Sequence, residues 1–340
     1  MRQFLRYLLF FAVLTIGWSV LLFSQAQMNY PYPVGPQFDK YIRKNYLRTI
    51  TEQKPDVVLL GDSMLDLGVD PVTLSDQLDQ KVYKIGLHGS ASTLWYLILK
   101  NNMLDAPVPP KYLVVFFRDS LLTVPGFRVQ GRYFEQIDEY ATPRDKLLIR
   151  RAYLNLMSPF EKWTEQYFPP YSFRWQIRES IDSPIRYFLS DRILGCQKGC
   201  TDHAMMDAFG DNNMDPNYLS NAIDAADDYM YTPARLDFNR QVEASFLPEY
   251  IRLAREHNIQ LIFVELKTLR FASPSQKPPT LEKYRADLRK YLAENKAIYI
   301  DFSTDPRIKN EYFYDPLHFT EEGKAAFTEI LAEALRPYVH

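Results

Sequence analysis

Val57-Val58-Leu59-Leu60-Gly61-Asp62-Ser63 sets four consecutive branched apolar residues against a small polar turn that ends in a serine. An unbroken apolar run of this length suits a strand covered on both faces, as in a parallel sheet clad with helices, rather than the alternating pattern of a half-exposed strand. Four more short, mainly apolar runs follow at wide intervals: Val82 to Leu87, Tyr112 to Phe117, Ile259 to Leu266 and Ala297 to Phe302. The intervening segments carry helical spacing. Val242, Phe246, Tyr250 and Leu253 predict one helix feeding the strand at Ile259. Strand and helix in alternation argue for an α/β, doubly wound domain, and a serine directly after a buried strand then lies at the carboxyl edge, where such sheets place ligands. A helix opening after the serine would turn its first N–H groups toward that edge.

Gly-Asp-Ser alone is weak evidence, since it arises by chance in roughly one chain of this length in ten. Asp315-Pro316-Leu317-His318 strengthens it. A serine hydroxyl is a poor nucleophile until an imidazole takes its proton and a carboxylate fixes the imidazole tautomer. Asp315 and His318 are three residues apart, which lets the carboxylate reach one ring nitrogen in a turn while the other faces outward. Ser63, His318 and Asp315 are therefore the candidate nucleophile, base and orienting acid. After them, Thr320 followed by Glu321 and Glu322 predicts an N-cap, with Phe327, Ile330, Leu331, Ala334 and Tyr338 as the apolar face of a final helix.

These blocks resemble the SGNH, or GDSL-type, hydrolase superfamily. Gly61-Asp62-Ser63 is similar to its first block, and Asp315 to His318 to its last. The resemblance implies a flavodoxin-like three-layer sandwich with a parallel sheet and no cofactor. It also implies a second block at Ile85-Gly86-Leu87-His88-Gly89-Ser90, with Gly89 as the backbone oxyanion donor. The third block departs. Where the family carries an asparagine after the third strand, this chain reads Phe116-Phe117-Arg118-Asp119-Ser120. Loss of one oxyanion donor typically costs on the order of a hundredfold in rate. Arg118 either replaces it, recognises an anionic substrate, or pairs with Asp119 or another carboxylate. Asp119 and Asp62 join Gly89 and Arg118 as oxyanion- or substrate-binding candidates, with a hydrogen bond that stabilises the nucleophile turn as the simpler expectation for Asp62. His88, Glu265, Lys267 and Arg270 fall on the same edge, where a structural hydrogen bond for the histidine and a solvated loop for the others are the simpler expectations.

Composition bounds the rest. With 340 residues, 46% hydrophobic, 24 Tyr and 22 Phe, the chain can bury a sizeable core, and a formal net charge of −2 gives no electrostatic reason to expect nucleic acid. After Arg2 and Arg6, Tyr7 to Phe23 has no charged residue, and no basic residue follows until Lys40. This predicts an N-terminal segment, 1–28, crossing a membrane through residues 7–28 with its N-terminus cytoplasmic. A cleaved signal peptide is the rival, because Ser24-Gln25-Ala26 fits a processing site; the length of the apolar run favours the anchor. Residues 29–37, with Pro31, Pro33 and Pro36, read as a linker to a domain over 38–340. Within that domain about 121–240 reads as a mostly helical insertion, whose arginines and aromatics suit either its own core or contact with a glycan or membrane surface. Cys196 and Cys200 allow a small-loop disulfide in an oxidising compartment; a metal site there lacks ligands beyond His203.

The anchored form resembles exported SGNH-like proteins that work beside membrane-bound O-acyltransferases in modifying surface polymers. It implies an inner-membrane, single-pass protein with its domain on the periplasmic side, acting on an acyl donor and a glycan acceptor. Two alternatives stand beside this expectation: a catalytically silent scaffold that binds glycan or an acyltransferase, and a soluble esterase released after Ala26.

Overall fold

The computed structural model describes residues 2–26, 31–32, 34–35, 41–125, 137–155, 157–174, 230–271 and 277–340. Its strands are β1 (Val57–Gly61), β2 (Val82–Gly86), β3 (Tyr112–Phe117), β4 (Gln260–Glu265) and β5 (Ile298–Asp301). The helices used below are α1 (Arg2–Ala26), α2 (Asn45–Gln53), α3 (Ser63–Gly68), α4 (Pro71–Leu78), α5 (Ser92–Ile98), α6 (Pro159–Tyr167), α7 (Pro169–Ser172), α8 (Phe238–Val242), α9 (Leu247–Glu256), α10 (Pro279–Glu294) and α11 (Glu321–Leu335).

All five apolar runs form strands, and the strands make one parallel sheet in the order β2-β1-β3-β4-β5. This is the flavodoxin-like order. Every side chain of β1 is buried, as are all but the first of β3 and β4, because those strands lie inside the sheet with helices on both faces. The outer strands β2 and β5 are mostly half-buried. Each fully covered Val or Leu of β1 contributes about 1.5–3 kcal/mol, so the run that opens the fold also anchors its core.

The chain steps from β1 to β2 in one direction and then back across β1 to β3, β4 and β5. Right-handed crossovers place α3 and α4 on one face and α5, α9 and α10 on the other. Packing agrees: α11 returns against α3 and α4, while α9 packs on β4 and α5. Reversal of direction between β1 and β3 leaves a crevice at their carboxyl ends, where Ser63 stands.

Two helix expectations need correction. Val242 to Leu253 is two helices, α8 and α9, because Pro248 lies in the first turn of α9 and no helix continues through it. The Ser245 hydroxyl fills the break by accepting from Leu247 N–H at 3.2 Å and donating to the Val242 carbonyl at 2.6 Å. The last helix ends at Leu335, before Pro337, so Tyr338 lies outside it and exposed; Val339 is buried instead.

The chain divides into two compact units, residues 1–35 with 156–222 and residues 36–155 with 223–340. The expected insertion at 121–240 thus divides differently. Its described flanks belong to the sheet unit, since Asp145 accepts from Asn101 Nδ2 and Thr142 N–H, and Ser120 Oγ donates to the Met230 carbonyl. The expected linker is also partly bound, with Tyr32 N–H donating to the Gln166 carbonyl and Val34 buried in the smaller unit. Cys196, Cys200 and His203 lie outside the described residues.

Candidate active site

Asp62 ends the chain's run out of β1 in extended geometry, and its carboxylate accepts from Met64 N–H at 2.9 Å, capping α3. Such a cap stabilises a helix start by about 1 kcal/mol. Its consequence is local: Ser63 becomes the first residue of α3, at the carboxyl edge of the sheet.

His318 arrives from the other end of the chain. Asp315 Oδ1 accepts from the Leu317 and His318 N–H groups at 2.7 and 2.8 Å, which folds Asp315 to His318 into a closed turn. Tyr314 N–H donates to the His318 carbonyl at 3.1 Å, Phe313 bridges Phe319, and Leu269 N–H from the loop after β4 donates to the Pro316 carbonyl at 2.8 Å. Behind the turn Thr320 caps α11 by accepting from Gly323 N–H at 3.1 Å. The turn therefore has fixed ends on both sides.

Within it the imidazole has one nitrogen on each neighbour. Asp315 Oδ2 lies 2.7 Å from His318 Nδ1, and Ser63 Oγ lies 2.8 Å from His318 Nε2. Burial pushes the Asp315 carboxyl up, but the hydrogen bonds from His318 and Leu317 outweigh it and hold it below its ordinary value. An ionised Asp315 accepts only, so Nδ1 carries the proton and Nε2 keeps the lone pair that accepts from the serine hydroxyl. The histidine and aspartate side chains are 12% and 11% exposed, which shelters the relay while leaving an approach to it. Tyr314 stacks on the imidazole with centroids 5.8 Å apart. No sequence pattern singled out that tyrosine, although its position four residues before the histidine places it in the same turn.

Gly89 occupies the turn after β2 with φ 72°, a left-handed conformation that favours glycine. That turn is tied to the end of β1: Leu87 N–H donates to the Gly61 carbonyl at 2.9 Å, and Ser90 N–H returns to the Leu87 carbonyl. His88 beside it donates to Asp66 Oδ2 of α3 across 2.9 Å, and Lys84 Nζ lies 3.3 Å from Asp66 Oδ1. Burial raises the Asp66 carboxyl, while His88 and Lys84 bring it below its ordinary value. A Cβ on Gly86 would fall 2.4 Å from Asp66 Cβ, so only glycine lets α3 approach β2 this closely. The second block and the nucleophile helix are thus one packed assembly.

The third block is built into a buried ion network, and of the three expectations for Arg118 the pairing with Asp119 is the one with a contact behind it. Arg118 is buried, with Nη1 3.9 Å from Asp119 Oδ2. Asp119, also buried and at φ 48°, accepts from Arg285 Nη2 at 2.9 Å and from Tyr231 Oη at 2.5 Å. Arg285 also donates through Nε to Glu265 Oε1 at 2.6 Å, and Tyr299 donates to the other Glu265 oxygen. Asp119 is therefore committed to a buried ion network, and Asp62 to a helix cap; neither carboxylate is an oxyanion donor. Glu265 is likewise no solvated loop residue, being fully buried. Lys267 donates to the Ile308 carbonyl, and burial lowers its ammonium below the ordinary value. Among the described residues no group of His, Cys, Asp and Glu is placed to hold a metal ion.

The sequence matches no protein-family model and no curated protein. Solved structures do resemble it. A Bacteroides fragilis protein assigned as an acylhydrolase is 13% identical over 87% of this chain and 96% of its own, with a TM-score of 0.41. A GDSL-like lipase from Bacteroides thetaiotaomicron is 12% identical over 86% and 98%, with a TM-score of 0.37. An α/β hydrolase enzyme from the metagenome of Lake Arreo, Spain, is 10% identical over 82% and 95%, with a TM-score of 0.35. The chemical reading below stands on the relay itself and not on these likenesses.

Proposed function

We propose that this chain is an SGNH-like serine enzyme that forms an acyl-enzyme on Ser63, and that it acts on an ester of a surface glycan outside the cytoplasm. The hydrogen-bonded chain from Ser63 Oγ through His318 to Asp315 carries this reading. Ser63 Oγ attacks the acyl carbonyl carbon while its proton passes to His318 Nε2; the imidazolium then protonates the departing alkoxide, which leaves as an alcohol. A second hydroxyl, from water or a sugar, gives its proton to the same nitrogen and takes the acyl group, freeing the serine. Gly89 N–H is the backbone donor for the oxyanion. Hydrolysis and transfer use one machinery, and exclusion of water by a bound acceptor, with a membrane O-acyltransferase as donor partner, would tip it toward transfer.

The location rests on α1. Residues Arg2–Leu21 are long and apolar enough to cross a membrane, with mean hydropathy 1.9 and no part of that stretch buried in the protein. Arg2 and Arg6, at the beginning of that stretch, favour an N-terminus in the cytoplasm and, for a retained anchor, the remainder outside the inner membrane.

A fluorophosphonate probe and a chromogenic acetyl ester test the reading. The wild-type chain is expected to label and to turn over the ester, and Ser63→Ala to do neither. His318→Ala should lose on the order of a thousandfold or more. Equal labelling of Ser63→Ala would overturn the assignment. A folded but inert wild type would favour the second reading, a binding scaffold, to which the absence of an asparagine from Phe116 to Ser120 lends support.

A further inference from the structure

The smaller unit contains a feature that the acyl-transfer chemistry does not use. On α6, Phe160, Trp163 and Tyr167 are 72%, 53% and 52% exposed. Their spacing of three and four residues puts them on one side of the helix, and the Phe160 and Trp163 rings stack with centroids 6.3 Å apart. Glu161, Lys162 and Glu165 occupy other directions around α6, with Glu165 paired to Arg174 Nη1 at 2.6 Å. Three large aromatics side by side in water form a patch that asks for a cover.

The position of this helix decides what the cover is. α6 packs on α7, and α7 packs on α1, all within one compact unit. Tyr32, soon after α1 in the chain, is tied to the same unit: its N–H donates to the Gln166 carbonyl of α6 at 2.9 Å, and its ring meets Phe173 edge-on at 5.2 Å. Tyr32 follows the last residue of α1, Ala26, by six positions, and six residues reach at most about 20 Å when fully extended. The carboxyl end of α6 is therefore held within about 20 Å of the end of α1, whose Arg2–Leu21 stretch matches the ~30 Å hydrocarbon core of a bilayer.

We propose that the Phe160, Trp163 and Tyr167 face of α6 lies in the lipid headgroup layer beside α1, as a second, interfacial membrane contact. Tryptophan and tyrosine favour that layer, where the ring body meets the acyl boundary and the polar edge keeps its hydrogen bonds. Glu161 and Lys162 remain toward water. The contact rests on α1 being a retained span. It orients the smaller unit about the bilayer normal, which a single flexible tether cannot do.

The chain has four tryptophans, and two of them separate the outcomes: Trp18 lies in α1 and Trp163 in the aromatic face. The full chain is reconstituted into vesicles of phosphatidylethanolamine and phosphatidylglycerol whose acyl chains carry bromine either near the headgroup or near the bilayer centre. Fluorescence of Trp18→Phe and of Trp163→Phe is subtracted from that of the wild type to isolate each emitter. The proposal expects the Trp163 component to be blue-shifted, to lose most of its intensity to the shallow bromines, less to the deep ones, and to resist aqueous iodide. The Trp18 component should be quenched by lipid as well. If Trp18 is quenched by lipid and Trp163 only by iodide, the anchor stands and the interfacial contact is overturned. If Trp163 resists both quenchers, another macromolecular surface covers the patch, which also overturns it. If neither tryptophan meets lipid, the span itself fails and the contact fails with it.

Discussion

Asp315 illustrates how one side chain can set both geometry and protonation. Its Oδ1 accepts the Leu317 and His318 N–H groups and so shapes the turn, while Oδ2 faces His318 Nδ1 and so fixes the tautomer. Asp315→Asn separates the two roles. The amide oxygen can keep the two backbone bonds, but the amide nitrogen then points donors at Nδ1 and makes that atom the acceptor. The proton moves to Nε2, which can no longer take one from Ser63. Ester turnover should fall by roughly 10³- to 10⁴-fold in kcat with the fold intact, as a thermal unfolding midpoint near that of the wild type would show. A fall of less than tenfold would mean that the carboxylate does not govern the tautomer. The neighbouring Asp66 and His88 form a second acid and imidazole pair, but theirs joins α3 to the Gly89 turn, with the His88 side chain 60% exposed.

At the scale of elements, the start of α11 is what holds the histidine turn in place. The Tyr312 carbonyl accepts from Thr320 N–H at 2.8 Å and from Thr320 Oγ1 at 3.3 Å, and a Cβ on Gly323 would fall 2.2 Å from that same oxygen. Gly323→Ala must push α11 and the Tyr312 segment apart, with the His318 turn between them. It is expected to lower stability by about 1–3 kcal/mol and to slow fluorophosphonate labelling of Ser63. An unfolding midpoint that drops while labelling at 25 °C is unchanged would show that α11 does not position His318. Elements of this kind differ in how far they can be read in advance. β1, β3 and β4 were legible because burial on both faces leaves a mostly apolar run, the half-buried β2 and β5 because apolar residues still dominate around Lys84 and Asp301, and Asp315 to His318 because both partners lie in one local turn. Pro248 escaped the helix reading because apolar spacing continues through the break between α8 and α9. The fate of Arg118 and Asp119 was illegible for a different reason. Asp119's partner Arg285 is distant in sequence and lies between Lys283 and Arg289, where it looks like one more surface charge of α10.

For the molecule as a whole, that arginine creates a dependence of stability on pH. Parallel strands bring their carboxyl ends together, so the ends of β3, β4 and β5 gather Asp119, Glu265 and Asp301 on one edge, with Tyr231, Tyr299 and the exposed Glu282 around them. Arg285 faces both buried carboxylates, Asp119 and Glu265, while Arg118 stands beside Asp119 alone, 3.9 Å away. Burial, with Asp119 adding to it against the pull of Arg285, raises the Glu265 carboxyl from 4.5 to about 7. A group raised in this way binds its proton more tightly in the folded than in the unfolded chain. The stability it contributes is complete below about pH 4.5 and is lost as pH rises through about 7, because over that interval the folded state holds more protons than the unfolded one. The carboxyls held low, Asp56, Asp66, Asp70, Glu161, Asp305 and Asp315, act in the opposite sense, but they are ionised in both states above about pH 5 and add no slope there. Glu265→Gln keeps an acceptor for Arg285 Nε and removes the titration. Thermal unfolding of the full chain from about pH 5 to pH 8 should therefore show a wild type that loses on the order of 1–3 kcal/mol across the interval. The variant's curve should be flatter, meeting or passing the wild type at the alkaline end. Parallel curves would place the excess charge elsewhere and would mean that Arg285 alone keeps Glu265 ionised in the fold.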